Sequence, residues 1–237
     1  MAQTQVEVRR VRVWDTPTRL FHWGLVVLIA VAWFTGEGEG NSALLHRIAG
    51  EAIAGLIVFR MIWGFVGGEH ARFSDFITGP GAITAHIGDL FSRAPKRHLG
   101  HNPLGSVAVL LLLILSAVLV FTGLFSSGEH NAGPFAGFFG LDLGEVHEFF
   151  FRVLQAVVVV HLAGVAIESV RAHDALVPAM ITGVKLRRAD EAGGDAQRAT
   201  IGALLVALTA AIGVSVWLMA SPPSPLAGAG IEQEYDD

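Results

Sequence analysis

Four histidines stand inside stretches of the chain that are otherwise apolar enough to cross a bilayer: His22, His46, His147 and His161. An ionisable side chain at membrane depth is costly, so its presence marks function by default. His147 and His161 share one stretch and lie fourteen residues apart. At about 100° per residue they return to nearly the same helix face, separated by roughly 21 Å along the axis. One helix thus offers two imidazoles at two depths. His22 opens the first apolar stretch, and His46 opens the second, which runs back the other way. Depth therefore pairs His22 with His161 and His46 with His147. Two imidazoles facing each other across a helix bundle can clamp a haem iron from both sides. Two such pairs imply two stacked, non-covalent haem b groups, each with both axial positions filled by protein. No coordination position is left for a substrate, and transfer of electrons becomes the natural chemistry. His70, His86, His98, His101, His130 and His173 fall in loops or at interfaces without a depth partner and read as non-ligands.

Five spans are long enough to position these groups: Leu20 to Gly36, His46 to Val66, Leu104 to Ser126, Glu145 to Ser169 and Ile201 to Ala220. A bilayer's hydrocarbon core of about 30 Å requires some 20 apolar residues per helix. The third and fifth spans carry no ionisable residue, and all nine prolines fall outside the five. Hydrophobic residues make up 52% of the 237 and charged residues 16%, against about 25% charged in an ordinary soluble domain. A water-soluble enzyme is excluded on that balance. The chain has no cysteine, which excludes disulfides, iron–sulfur clusters, zinc–thiolate sites and covalently attached haem. A net charge of -5 supplies no global field for nucleic acid. The predicted class is an all-α integral membrane protein, a four-helix transmembrane haem-binding bundle plus a fifth C-terminal transmembrane helix.

Lys and Arg collect before the first span, between spans two and three, and after span four; the loops after spans one and three and the C-terminal tail have none. Short basic loops stay in the cytoplasm, so the N-terminus is expected inside and the C-terminus in the periplasm, in a bacterial inner membrane. The first apolar run follows an Arg-rich segment and lacks a small-residue cleavage site, so no cleavable signal peptide is expected. The connection from Gly67 to Pro103, with Phe73, Phe76, Ile77, Ile83, Ile87, Leu90 and Phe91, has an amphipathic pattern suited to the membrane surface. The domain plan is a core over residues 1–198, an added helix over 199–220 and an acidic tail over 221–237. The tail, with Glu232, Glu234, Asp236 and Asp237, cannot bury a core.

Several motifs accompany the histidines. Trp14-Asp15-Thr16-Pro17-Thr18-Arg19-Leu20-Phe21-His22-Trp23, the His46 span ending Arg60-Met61-Ile62-Trp63-Gly64, Gly100-His101-Asn102-Pro103-Leu104-Gly105, and His147-Glu148 followed by His161 occur in that order. Together, over roughly residues 9 to 188, they resemble the prokaryotic cytochrome b561 family, both its stand-alone members and the b-type subunits of nickel–iron hydrogenases. The resemblance implies that the four histidines are haem b ligands and that quinone exchanges electrons with the haems. The fifth span and acidic tail depart from the four-helix family core.

Charged neighbours have two readings each. Arg60, fourteen residues after His46, either neutralises a haem propionate or snorkels to the surface beside Trp63. Arg19, one turn before His22, either serves a propionate or anchors the helix at the basic side. Glu148 and Arg152 are spaced to pair, and Glu168 with Arg171 could relay protons to a quinone. The expected function is electron transfer between the membrane quinone pool and a periplasmic partner, a c-type cytochrome or an oxidoreductase subunit; Glu129, Asp142 and the acidic tail would favour a basic docking surface. The competing readings are a membrane anchor recruiting a periplasmic redox enzyme, and direct oxidation of a small molecule such as superoxide at the outer haem. Membrane lipid is a partner in every case, and an oligomer is compatible with the pattern.

Overall fold

The computed structural model describes residues 8–93, 95–128, 132–188 and 194–222. Residues 223–237 of the expected acidic tail, with Glu129 and His130, lie outside these residues. Five helices are long and apolar enough to cross a membrane: α1 (Thr16–Thr35), α2 (Asn41–Val66), α5 (Pro103–Leu124), α6 (Gly144–Arg171) and α8 (Ile201–Ala220). Between α2 and α5 the chain forms a 3-10 turn (Glu69–Ala71), α3 (Phe73–Phe76) and α4 (Pro80–Leu90); α7 (Leu176–Thr182) follows α6.

Four of the five helices extend beyond their apolar stretches, because polar and proline residues at helix ends belong to the first turn even where hydropathy excludes them. Pro17 and Pro103 are therefore inside α1 and α5, at first-turn positions where a missing N–H costs nothing. Asp15 caps α1, its Oδ1 accepting the Thr18 N–H at 2.8 Å. Asn102 caps α5, accepting the Gly105 N–H at 2.6 Å. Side-chain oxygens at these positions satisfy amide groups that the helix itself leaves orphaned.

The all-α expectation needs one addition. Strand β1 (Val8–Arg12) pairs antiparallel with β2 (Val184–Arg188), Arg9 opposite Arg187 and Val11 opposite Lys185. These strands are more than 170 residues apart in sequence and each is too basic to announce itself as half-buried β structure, so local pattern could not reveal them.

The chain divides into two compact units. The first comprises Met1–Leu20, Ile62–Leu110 and Val159–Leu204, and contains the ribbon, the short helices and the basic loops. Its core gathers Val13, Trp14 and Ala179. The Trp63 indole N–H donates to Asp15 Oδ2 at 3.1 Å, tying the end of α2 to the cap of α1. Gly64 faces the Phe73 ring so closely that a Cβ would overlap it. On α4, His86 and Leu90 are buried while Ile87 is exposed, with Ile77 and Phe91 exposed on either side of the helix. That is the apolar outer side required of a segment at a membrane surface.

The second unit comprises Phe21–Met61, Leu111–Val158 and Leu205–Asp237. Here α8 buries Ala207, Ala211 and Leu218, a stripe at helical spacing. A Cβ on Gly55 would overlap Ser215 and lie 2.7 Å from the Ala211 carbonyl oxygen. Backbones of α2 and α8 thus approach as closely as small residues permit, which is how membrane helices associate without a hydrophobic driving force. Ser215 Oγ donates to the Glu51 carbonyl oxygen at 3.2 Å across the same contact. In the loop before α6, Phe135 stacks 5.9 Å from Trp217 of α8, and Asp142 accepts the N–H groups of Ser127 and Gly144.

Candidate haem-binding site

His46, near the start of α2, and His147, in the first turn of α6, come together in the second unit with ring centroids 6.1 Å apart and planes inclined at 75°. A coordinated imidazole nitrogen sits about 2 Å from its metal, so two rings on opposite sides of one iron bring their centroids roughly 6 Å apart. The donor set fits a bis-imidazole haem iron. Each ring is also oriented from behind. His46 Nδ1 donates to the Ala32 carbonyl at 2.8 Å, and His147 Nδ1 donates to the Leu119 carbonyl at 3.0 Å with Thr122 Oγ1 also at 3.0 Å. A carbonyl can only accept, so the proton of each neutral ring sits on Nδ1 and the lone pair on Nε2. This arrangement fixes the tautomer of a metal ligand and raises its basicity.

Two glycines make the arrangement possible. A Cβ on Gly36 would lie 3.4 Å from the His46 ring, and one on Gly123 would lie 3.2 Å from the His147 ring. Sequence inspection singled out neither. Their signal is the pairing of each glycine with a histidine on the following helix, which only the fold discloses.

His22 stands on α1 in the second unit, its ring edge-on to Trp23 at 5.0 Å. His161 stands on α6 in the first unit, half-buried. Their pairing rests on the depth match in the sequence. Arg60 is buried at 2% exposure, so its guanidinium does not reach solvent by snorkelling. Arg19 donates from Nη2 to the Ile181 carbonyl at 2.5 Å, beside Gly183, whose φ of +82° closes α7. Glu148 and Arg152 form the expected ion pair, and both side chains are exposed. His101 packs between Trp14 and Phe76, with ring centroids at 4.7 and 4.6 Å.

Two buried ionisable sites escaped the sequence reading. Glu51 on α2 is 3% exposed, neither of its carboxylate oxygens has a hydrogen bond, and the Arg47 guanidinium stands at 3.7 Å. An acidic residue one turn after a basic one inside an apolar span was the available signal. In the first unit, Lys185 and Asp174 form a buried ion pair at 2.7 Å, with Arg97 at 3.2 Å from the same carboxylate. Burial pushes the Lys185 ammonium below its ordinary value against the attraction of Asp174. His98 is likewise lowered, first by burial and then by the neighbouring His86.

Five candidate spans define a multi-pass membrane protein, and the spacing of the His46 and His147 rings fits a haem iron. The family model of prokaryotic cytochrome b561 matches residues 13–183, and the chain belongs to that family. It is similar to a protein of Rhizobium leguminosarum bv. viciae described as a probable Ni/Fe-hydrogenase B-type cytochrome subunit, 25% identical over 76% of this chain and 91% of the relative. It is also similar to proteins of the same description from Azotobacter chroococcum, 27% identical over 78% and 94%, and from Escherichia coli K12, 23% identical over 73% and 89%. No solved structure matches the chain. The protein is a membrane b-type cytochrome of electron transport, with haem b as its cofactor.

Proposed function

We propose that this chain is a dihaem cytochrome carrying electrons across the bacterial inner membrane between the quinone pool and a periplasmic redox partner. The observation that carries this reading is the His46–His147 pair, 6.1 Å between ring centroids with both Nδ1 protons held by backbone carbonyls. His22 and His161 make the second pair by their matching depth, on a four-helix core to which α8 is added. Haem b, when bound, supplies a one-electron couple whose potential is set by axial ligands, burial and hydrogen bonding. His46 and His147 would hold the haem iron through Nε2, and the Ala32 and Leu119 carbonyls keep each ring in the tautomer that leaves that nitrogen free to bind. Arg60, buried on α2, is the group assigned to a propionate carboxylate. The basic residues of the ribbon and loops support a cytoplasmic side for the first unit. The relatives' description makes a nickel–iron hydrogenase the first periplasmic partner to test. Membranes containing the chain and such a hydrogenase should show haem reduction on adding hydrogen, lost in His46→Ala. Reduction that persists unchanged in His46→Ala and His147→Ala would contradict this route.

A further inference from the structure

In the first unit, His86 of α4 meets Glu168 of α6, Nε2 to Oε2 at 3.5 Å, with side chains 3% and 8% exposed. Neither ring nitrogen of His86 makes a hydrogen bond. The His98 ring lies edge-on to His86 at 5.0 Å, and its buried Nδ1 also lacks a hydrogen bond. Groups of this kind, buried and left short of partners, are rare in folded proteins and point to a use. The surrounding charges are otherwise engaged. Lys185 bonds Asp174 and the His98 carbonyl, Arg97 bonds Asp174 and the Leu186 carbonyl, and Arg171 bonds the carbonyls of Leu90 and Ser92. Asp89 accepts the Lys96 amide. Among the described residues, His86 is left to face Glu168.

Glu168 lies seven residues after His161 on the same helix, two turns on, at nearly the same angle and about 10 Å along the axis. An open cleft lined by Phe91, Ser92, Arg93, Val170, Arg171 and His173 adjoins the turns of chain beyond both partners and is the route proposed for water. We propose that the His86–Glu168 pair is a redox-linked proton-binding site: its affinity for a proton from water rises when the protein receives an electron at the depth of His161. The electron comes from the redox partner, the proton from water on the side of the basic loops, and both leave when the protein is reoxidised. The proton offsets part of the charge that the electron adds to the buried interior. At an effective dielectric near 20, a unit charge about 10 Å away alters proton affinity on the order of tenfold, enough to move about half a proton onto the pair over the pH range in which it titrates. The inference rests on the electron-transfer reading above and adds to it a proton.

The test is the haem midpoint potential as a function of pH, measured on purified holoprotein alongside haem content. Wild type should become harder to reduce as pH rises, the reduction equilibrium changing by about threefold per pH unit where the pair titrates, about half of the 59 mV per unit that a full proton per electron would give. Glu168→Gln and His86→Gln should each flatten that slope at unchanged haem content, while Arg152→Gln should leave it as in wild type. A haem-replete wild type with a flat profile, or either variant retaining the full slope, overturns the proposal. Protein without haem overturns the electron-transfer reading and this one with it. Where neither variant accumulates, the reduced-minus-oxidised infrared spectrum of wild type decides: a protonation change of carboxyl or imidazole supports the pair, and its absence overturns it.

Discussion

The two units differ in how their most buried polar side chains are partnered. In the second unit, the paired histidines and Ser215 are oriented by main-chain carbonyls, His46 by Ala32, His147 by Leu119 and Ser215 by Glu51, beside the ion pairs Arg47–Glu51 and Arg152–Glu148. Close approach through Gly36, Gly55 and Gly123 does the rest. In the first unit, side chains answer side chains, as Asp174 holds Lys185 and Arg97, Asp15 holds Trp63 and Glu168 faces His86. A backbone carbonyl cannot change protonation, whereas a carboxylate or imidazole can. The first arrangement fixes a tautomer and the second can exchange protons with water.

The sharpest way to break this contrast is to disturb a close approach in the second unit. Gly123→Leu must fill space within 3.2 Å of the His147 ring, and we expect loss of the site at His46 and His147, seen as haem content falling to about half, with only 1–3 kcal/mol of overpacking cost. Next comes Asp174→Asn in the first unit. It leaves Lys185, 3% exposed, as an uncompensated buried charge and should cost about 3–5 kcal/mol, measured as lowered thermal stability with haem absorbance at the His46–His147 site retained. Trp63→Phe removes one hydrogen bond to Asp15 and should cost about 1 kcal/mol on the same assay.

The smallest effect is one of pH. His98 has its proton affinity lowered by burial, so below its unfolded value near 6.5 the unfolded chain binds more protons than the folded one. Stability contributed by neutral His98 is present above that value and is lost as pH falls through it. His98→Gln should flatten the acid limb of a thermal-stability profile between pH 5 and 7; an unchanged limb would count against the assignment.

How much was legible beforehand follows the same division. The spans and the approach of His46 to His147 could be read because bilayer thickness and helical periodicity constrain them directly, and three of the four motifs now have physical roles. Asp15 and Asn102 are caps, Trp63 reaches back to Asp15, Gly64 admits Phe73 and His101 is clasped by Trp14 and Phe76. The ribbon of β1 and β2 was hidden, since its register depends on pairing across almost the whole chain. His86 was passed over because a histidine in a connecting segment reads as exposed, and only the packing of α4 buries it. Glu51 was passed over because hydropathy averages conceal a single carboxylate in a long apolar run. The proline rule held only for helix interiors, with Pro17 and Pro103 using first-turn positions.

The central claim is that His46 and His147 hold one haem and that a second pair holds another. The most direct test is haem per polypeptide in the purified protein, with a reduced-minus-oxidised spectrum, for wild type and His147→Ala. The account predicts two low-spin b-type haems in wild type and one in the variant. Equal haem content in the two proteins would contradict it.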